Sequence, residues 1–140
     1  MKKILGLDLG SRTCGIAMSD SLGMLAHGVE TYRFKDGDYQ KPLERVMELV
    51  KENGIEEIVL GYPKHMNNDE GIRCQISRDF KVMLEEAIPG IKVILKDERL
   101  TTKIAQDTLI FADVSRKKRK EVIDKMAAVA ILQGYLDSLR

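Results

Sequence analysis

Tryptophan is absent, and the chain has only four tyrosines and three phenylalanines. Stacking of bases on aromatic rings, a common device in single-stranded RNA recognition, therefore has little to work with. There are two cysteines, Cys14 and Cys74, in no CxxC arrangement, which excludes a disulfide framework or a zinc site and makes a reducing cytoplasm the default. The longest uninterrupted apolar run is Met126–Leu132, far short of the roughly 20 residues a membrane helix needs. After the basic Met1-Lys2-Lys3, Asp8 breaks the first apolar stretch before a signal-peptide core is reached. A charge excess is lacking too: 23 Lys+Arg stand against 22 Asp+Glu, a formal net charge of +1. At first sight that balance argues against a nucleic-acid binder, which usually carries a basic excess.

What is present fits a soluble globular protein. The 140 residues, 44% hydrophobic and 32% charged, allow one domain over 1–140, with no repeat, low-complexity segment or linker. The charge is unevenly placed. Residues 1–70 carry net −3 and residues 71–140 net +4, and nearly all of the excess sits in Arg116-Lys117-Lys118-Arg119-Lys120.

Hydrophobic periodicity sets the elements. Ile4–Leu9 reads as a buried strand, Gly10–Thr13 as a turn and Cys14–Ser19 as the second arm of a hairpin, with a third strand at about Ala26–Phe34. Leu43, Val46, Met47 and Val50 form the stripe of an amphipathic helix that Asn53-Gly54 ends. Ile55–Leu60 is a strand. Ile72, Ile76, Phe80, Met83, Leu84 and Ala87 mark a second helix, and Ile91–Leu95 a fifth strand. A helix follows from Thr101 or Thr102 to about Ala112, and a last one from Ser115 or Arg116 to Leu139. The order β-β-β-α-β-α-β-α-α predicts an α/β fold with a five-stranded mixed sheet and helices on both faces. It is the element order of the ribonuclease H-like fold.

Three acids stand where burial predicts none. Asp8 lies inside an apolar strand. Glu98 follows Val93-Ile94-Leu95 at the carboxyl end of a strand parallel to the first, where open α/β sheets gather ligands. Asp97 adjoins it, and alternation lets only one of the two face a site there. Asp124 shares a helix face with Ala127, Ala128 and Ile131. A structural reading exists for each: a turn cap at Asp8, an ion pair of Glu98 with Arg99, a pair of Asp124 with Lys120 or Lys125. If the three converge, their mutual repulsion calls for a cation between them, and hard carboxylate oxygens suit Mg²⁺ or Mn²⁺. Two such ions about 4 Å apart can hydrolyse a phosphodiester.

Gly6-Leu7-Asp8-Leu9-Gly10-Ser11-Arg12, Gly15-Ile16-Ala17-Met18-Ser19-Asp20, Gly61-Tyr62-Pro63, Asp97-Glu98-Arg99-Leu100-Thr101-Thr102 and Asp124-Lys125-Met126-Ala127-Ala128 with Ile131-Leu132-Gln133 resemble the motifs of the YqgF/RuvX family, in order and spacing over nearly the whole chain. Its members are bacterial ribonuclease H-like proteins, described as Holliday junction resolvases and, more commonly now, as nucleases that process the 5′ end of pre-16S ribosomal RNA. Tyr62 departs from the family's usual leucine. The resemblance implies that Asp8, Glu98 and Asp124 are the catalytic, metal-holding acids, with two Mg²⁺ or Mn²⁺ ions. It further implies in-line attack of an activated water that leaves a 5′-phosphate and a 3′-hydroxyl.

Arg12, Lys64, Arg73 and Arg99 are candidate phosphate contacts, each as readily a solvated charge. The run Arg116, Lys117, Lys118, Arg119 and Lys120 is better placed, because it leads into the helix that carries Asp124. Asp20 reads as a turn former, His27 and His65 as structural or surface residues, Cys14 as a core residue, and the methionines mostly as core. The expected partner is nucleic acid, pre-rRNA or branched DNA, and not a membrane; the chain itself would be a monomer or a homodimer. Two other functions fit parts of the sequence. Leu7-Asp8-Leu9-Gly10-Ser11 also resembles the first phosphate loop of actin-like ATPases and sugar kinases, but those enzymes close two domains around the nucleotide. A nucleic-acid-binding transcription factor that has lost catalysis is disfavoured by the presence of all three acids.

Overall fold

The computed structural model describes residues 3–62, 68–97 and 116–139, with 68–70, 72, 73, 97 and 116–125 described by their backbone alone. The elements are β1 (Lys3–Leu9), β2 (Thr13–Ser19), β3 (Ala26–Arg33), α1 (Gln40–Asn53), β4 (Ile55–Tyr62), α2 (Asn68–Ala87), β5 (Lys92–Asp97) and α3 (Arg116–Ser138). The helix expected at 101–112 lies outside the described residues. The sheet order is β3-β2-β1-β4-β5. β2 is antiparallel to both of its neighbours, whereas β1, β4 and β5 are parallel. The mixed sheet expected from the element order is thus observed.

Strand alternation divides the core in two. On one face Leu5, Leu7, Leu9, Cys14, Ile16, Ile58 and Leu60 are buried under α1 and α2. On the other, Ile4, Ala17 and Val59 are buried under Ala128, Ile131, Leu132 and Leu136 of α3. Each fully buried aliphatic side chain contributes about 1.5–3 kcal/mol. The second face carries small residues, and that lets α3 come close. A Cβ built on Gly6 would stand 2.7 Å from Leu132 Cβ and 3.0 Å from the Ala128 carbonyl oxygen. Backbone of β1 therefore meets α3 directly at Gly6.

Two expectations are corrected. The buried side of α1 is Pro42, Leu43, Val46 and Leu49; Met47 is 37% exposed and Val50 only partly buried. The helix meets the sheet on the face centred on Val46, so Leu49 at i+3 takes the place foreseen for Val50 at i+4. Gly54 ends α1 in the left-handed region at φ 64°, its N–H donating to the Val50 carbonyl. Met24, 47% exposed, is also not core, because it belongs to a surface loop after β2.

Candidate active site

Asp8 is the next-to-last residue of β1 and is half-buried. Alternation puts it on the face of Ile4 and Gly6, the face that α3 covers. Its register neighbour on β2 is Gly15. On β4 the pairing Leu7–Leu60 brings Gly61 opposite it, and Gly61 pairs in turn with Lys96 of β5. The Lys96 stem reaches the same helix, where a Cβ on Gly134 would meet its Cε at 3.7 Å. Asp8 thus stands in a row Gly15–Asp8–Gly61–Lys96, with a glycine on either side.

The direction of α3 is fixed by what it touches. Tyr135 donates its hydroxyl hydrogen to Glu57 Oε2 at 3.2 Å, at the start of β4, while Leu132 and Ala128 sit on Gly6. The helix therefore runs antiparallel to β1. Asp124, one turn before Ala128 on the same helical face, lies toward the Asp8 end. One helical turn advances about 5.4 Å and two strand residues about 6.7 Å, so the turn of Asp124 and the row of Asp8 keep pace. Of the three acids, only Asp8 has its side chain among the described residues. Glu98 lies outside them, one residue past the end of β5 at Asp97, as do Lys64 and Arg99. Arg73 is a backbone position on α2.

The basic run does not merely lead into the last helix. Arg116, Lys117, Lys118, Arg119 and Lys120 are its first five residues. Positive side chains there oppose the helix dipole, whereas an anion would be attracted by dipole and side chains together. Arg12 lies in the turn that follows β1, at the Asp8 end of the sheet. Its Nε is 3.6 Å from Asp36 Oδ2, and both side chains are mostly exposed. Such a pair contributes little stability and leaves the guanidinium accessible to another partner.

Several groups are placed away from this end. Asp20 follows β2 at the opposite end of the sheet and builds its own loop, as the turn-former reading expected. Its Oδ1 accepts the Met24 N–H at 2.9 Å and the Leu25 N–H at 3.4 Å, and the Met24 bond above all holds its carboxyl below the usual value. His27 is exposed on β3, and Cys14 and Cys74 are buried. Sequence reasoning missed Glu57, a carboxylate only 5% exposed. Burial and then the Glu57 charge push the Tyr135 hydroxyl up. Nothing local marks Glu57, because Glu56 beside it is exposed and only the strand register decides which of the two turns inward. It lies at the amino-terminal end of β4, far from Asp8, and lines a cleft of about 350 Å³ there.

Reasoning from the sequence also missed Ser77. Its buried hydroxyl donates to the Gly61 carbonyl at 3.3 Å, tying α2 to the strand end beside Asp8. No helix among the described residues is long and apolar enough to cross a membrane.

Comparison with known proteins bears on this arrangement. The profile of the RuvX family, described as Holliday junction resolvase, matches residues 2–138. A protein of Staphylococcus haemolyticus named "Putative pre-16S rRNA nuclease" is 50% identical over 138 residues, covering 99% of this chain and 97% of that one. A Staphylococcus aureus protein of the same name is 50% identical over 137 residues, covering 98% and 96%. Among solved structures, Thermus thermophilus RuvC in complex with a Holliday junction aligns with a TM-score of 0.62 at 13% identity, covering 99% of this chain and 96% of that one. The Holliday junction resolvase of fowlpox virus aligns with a TM-score of 0.59 at 14% identity, covering 99% of both chains. These two likenesses identify the fold, the ribonuclease H-like α/β architecture expected from the element order. A profile match over almost the whole length, together with relatives at half identity, decides against the kinase reading: this chain belongs to the RuvX family of nucleases, hydrolases of phosphodiester bonds.

Proposed function

We propose that this nuclease trims the 5′ end of the 16S rRNA precursor in the cytoplasm, with Asp8, Glu98 and Asp124 as its catalytic acids. One observation carries the assignment of the acids: α3 lies antiparallel on β1 with Gly6 against Leu132, which brings the Asp124 turn to the Asp8 row. Ile94 and Lys96 of β5 share the α3 face with Val59 and Gly61, and the motif Asp97-Glu98-Arg99 of the family supports assigning Glu98 to the same site. The ribosomal substrate is supported by the half-identical relatives that bear that name.

The donor set fits a divalent ion. Three carboxylates offer hard oxygens with an excess of negative charge. When bound, two Mg²⁺ or Mn²⁺ ions would supply Lewis-acid activation of water and charge neutralisation at the leaving oxygen. Asp8, central in the row, would be shared between them, with Glu98 and Asp124 holding one each. Arg12 and the first turns of α3 bind the phosphates on either side of the scissile bond, and together with Lys64, Arg73 and Arg99 they set the strand in register with the acids.

Asp8→Asn keeps the size and shape of the side chain and removes its charge. In Mg²⁺ it should lower cleavage of a precursor carrying the 16S 5′ leader by roughly a thousandfold or more. Wild-type activity in the variant would disprove the assignment. The same assay run on a four-way DNA junction tests the family's other described substrate. Preferential junction cleavage, with paired symmetric nicks, would replace the ribosomal reading by a dimeric resolvase.

A further inference from the structure

Tyr62, where the chain departs from the family's usual leucine, is the last residue of β4, one past Gly61 and at the Asp8 end of the sheet. Alternation turns it to the face of Leu60, which Phe80 and Leu84 of α2 cover. Its hydroxyl oxygen accepts a hydrogen bond from Arg78 Nη1 at 2.8 Å, and the guanidinium carbon lies 5.8 Å from the centre of its ring. Arg78 is exposed on α2. Its chain neighbour Ser77 holds the Gly61 carbonyl, so this turn of α2 lies level with the end of β4. Gln75 Oε1, one turn earlier, accepts from Arg78 Nη2 at 3.5 Å.

Every group that holds Arg78 is neutral. Arg12 meets the Asp36 carboxylate, and Arg45 those of Glu30 and Glu48. Among the described residues no carboxylate pairs with Arg78. Asp79 beside it engages Gln75 instead, accepting from Nε2 at 2.7 Å. A phenol oxygen, an amide oxygen and a ring fix the direction of the guanidinium without neutralising it. An arginine that served only to tie α2 to β4 would gain more from a carboxylate. A charge held in place and left uncompensated suits a phosphate, which the planar fork binds through its remaining N–H groups at reduced entropic cost. Neighbouring strands lie about 4.8 Å apart and rise about 3.3 Å per residue, so the Tyr62 Cα stands roughly 6 Å from that of Asp8.

We propose that Arg78, aimed by Tyr62, binds a phosphate of the substrate strand on the α2 side of the nuclease site, a placement that rests on the reading of Asp8 as a catalytic acid. The ligand is a phosphodiester backbone, of RNA or of DNA. Tyr62 is the positioning residue, since a leucine there could not accept the Arg78 bond.

The experiment uses the full chain with Arg78→Gln, Arg78→Lys, Tyr62→Phe and Asp8→Asn. It compares thermal melting, binding of a labelled leader RNA and of a four-way DNA junction over a salt series in EDTA, and cleavage in Mg²⁺. Arg78→Gln should melt with wild type, as exposed substitutions do. It should bind the RNA roughly fivefold more weakly and reduce the slope of log K against log[salt] by roughly 0.7. KM should rise by the same factor at constant kcat, because a contact away from the scissile bond serves ground state and transition state alike. Arg78→Lys should keep the slope, since the charge stays, and recover part of the affinity. Tyr62→Phe keeps the ring and loses the oxygen; it should keep the slope and raise KM by a smaller factor. Wild-type affinity and slope in Arg78→Gln on both probes would overturn the phosphate contact, while cleavage lost in Asp8→Asn would leave the reading of the acid intact. Weakening on the junction alone would support the contact and overturn the ribosomal substrate. A lower melting temperature with KM unchanged would make Arg78 a structural tie and overturn the inference. Wild-type cleavage in Asp8→Asn would overturn the placement of the contact beside that acid.

Discussion

An acid is tolerated in this fold where something holds its charge, and the described carboxylates show three ways of doing so. Glu30 is held by the Arg45 guanidinium, with Nε 2.7 Å away, in a half-buried pair that ties α1 to β3. Glu57 receives the Tyr135 hydroxyl. Asp20 is held by backbone amides alone, and its lowered pKa gives a pH dependence with a definite sign. The folded carboxyl titrates below its ordinary value of 3.8, so the loop is fully held above that pH and loosens as pH falls through the lower folded value. Amide hydrogen exchange at Met24 and Leu25, normalised for intrinsic rates, should be protected at neutral pH and lose protection below about pH 4. Asp20→Ala should lose the protection at every pH. Unchanged protection in that variant would mean that the Gln133 side chain, which donates to the Met24 carbonyl at 3.0 Å, holds the loop by itself.

Among the elements, α3 carries most of the consequence. Its length and its small-residue face are legible in Ala127, Ala128, Ile131 and Leu132. The exposure of Met47 on α1 is not legible in the same way, because two adjacent stripes are equally apolar and only the facing sheet selects between them. Docking of α3 depends on one missing side chain. Gly6→Ala would place a methyl 2.7 Å from Leu132 Cβ and 3.0 Å from backbone oxygen, and neither neighbour is the flexible end of a side chain. The variant should lose about 1–3 kcal/mol of stability in urea denaturation. Truncating Leu132 to alanine should not rescue it, because the clash is with Cβ. Since α3 carries Asp124, proposed as a catalytic acid, cleavage should fall by more than the fraction of folded protein does; a variant as stable as wild type would show that the helix can lift off β1 freely.

At the scale of the whole molecule, the near-zero net charge hides a division of labour. Of the acids proposed to hold metal, Asp8 sits at the carboxyl end of β1 and Asp124 on α3, and the positive excess is gathered in the first five residues of that helix. Replacing Arg116, Lys117, Lys118, Arg119 and Lys120 by glutamine should weaken RNA binding while sparing the fold. It should also reduce the slope of log K against log[salt] by roughly 0.7 for each phosphate that is no longer neutralised. Titrations of a labelled leader RNA at several salt concentrations measure this directly. An unchanged slope would place the run outside the interface.

The sequence by itself determined which of the described segments are helix and strand, since periodicity is local and survives without any neighbour. It also marked Asp8, Glu98 and Asp124 as acids beside apolar stretches of sequence. It could not determine that Asp8 stands between two glycines, that α3 runs antiparallel to β1, or that Glu57 rather than Glu56 is buried. Those facts belong to pairing register and to the packing of one face on another. With few aromatics and no charge excess, we propose that recognition falls to the basic amino-terminal turns of α3. A single Cβ missing at Gly6 sets how closely α3 can lie on β1, and with it where Asp124 falls along the strand.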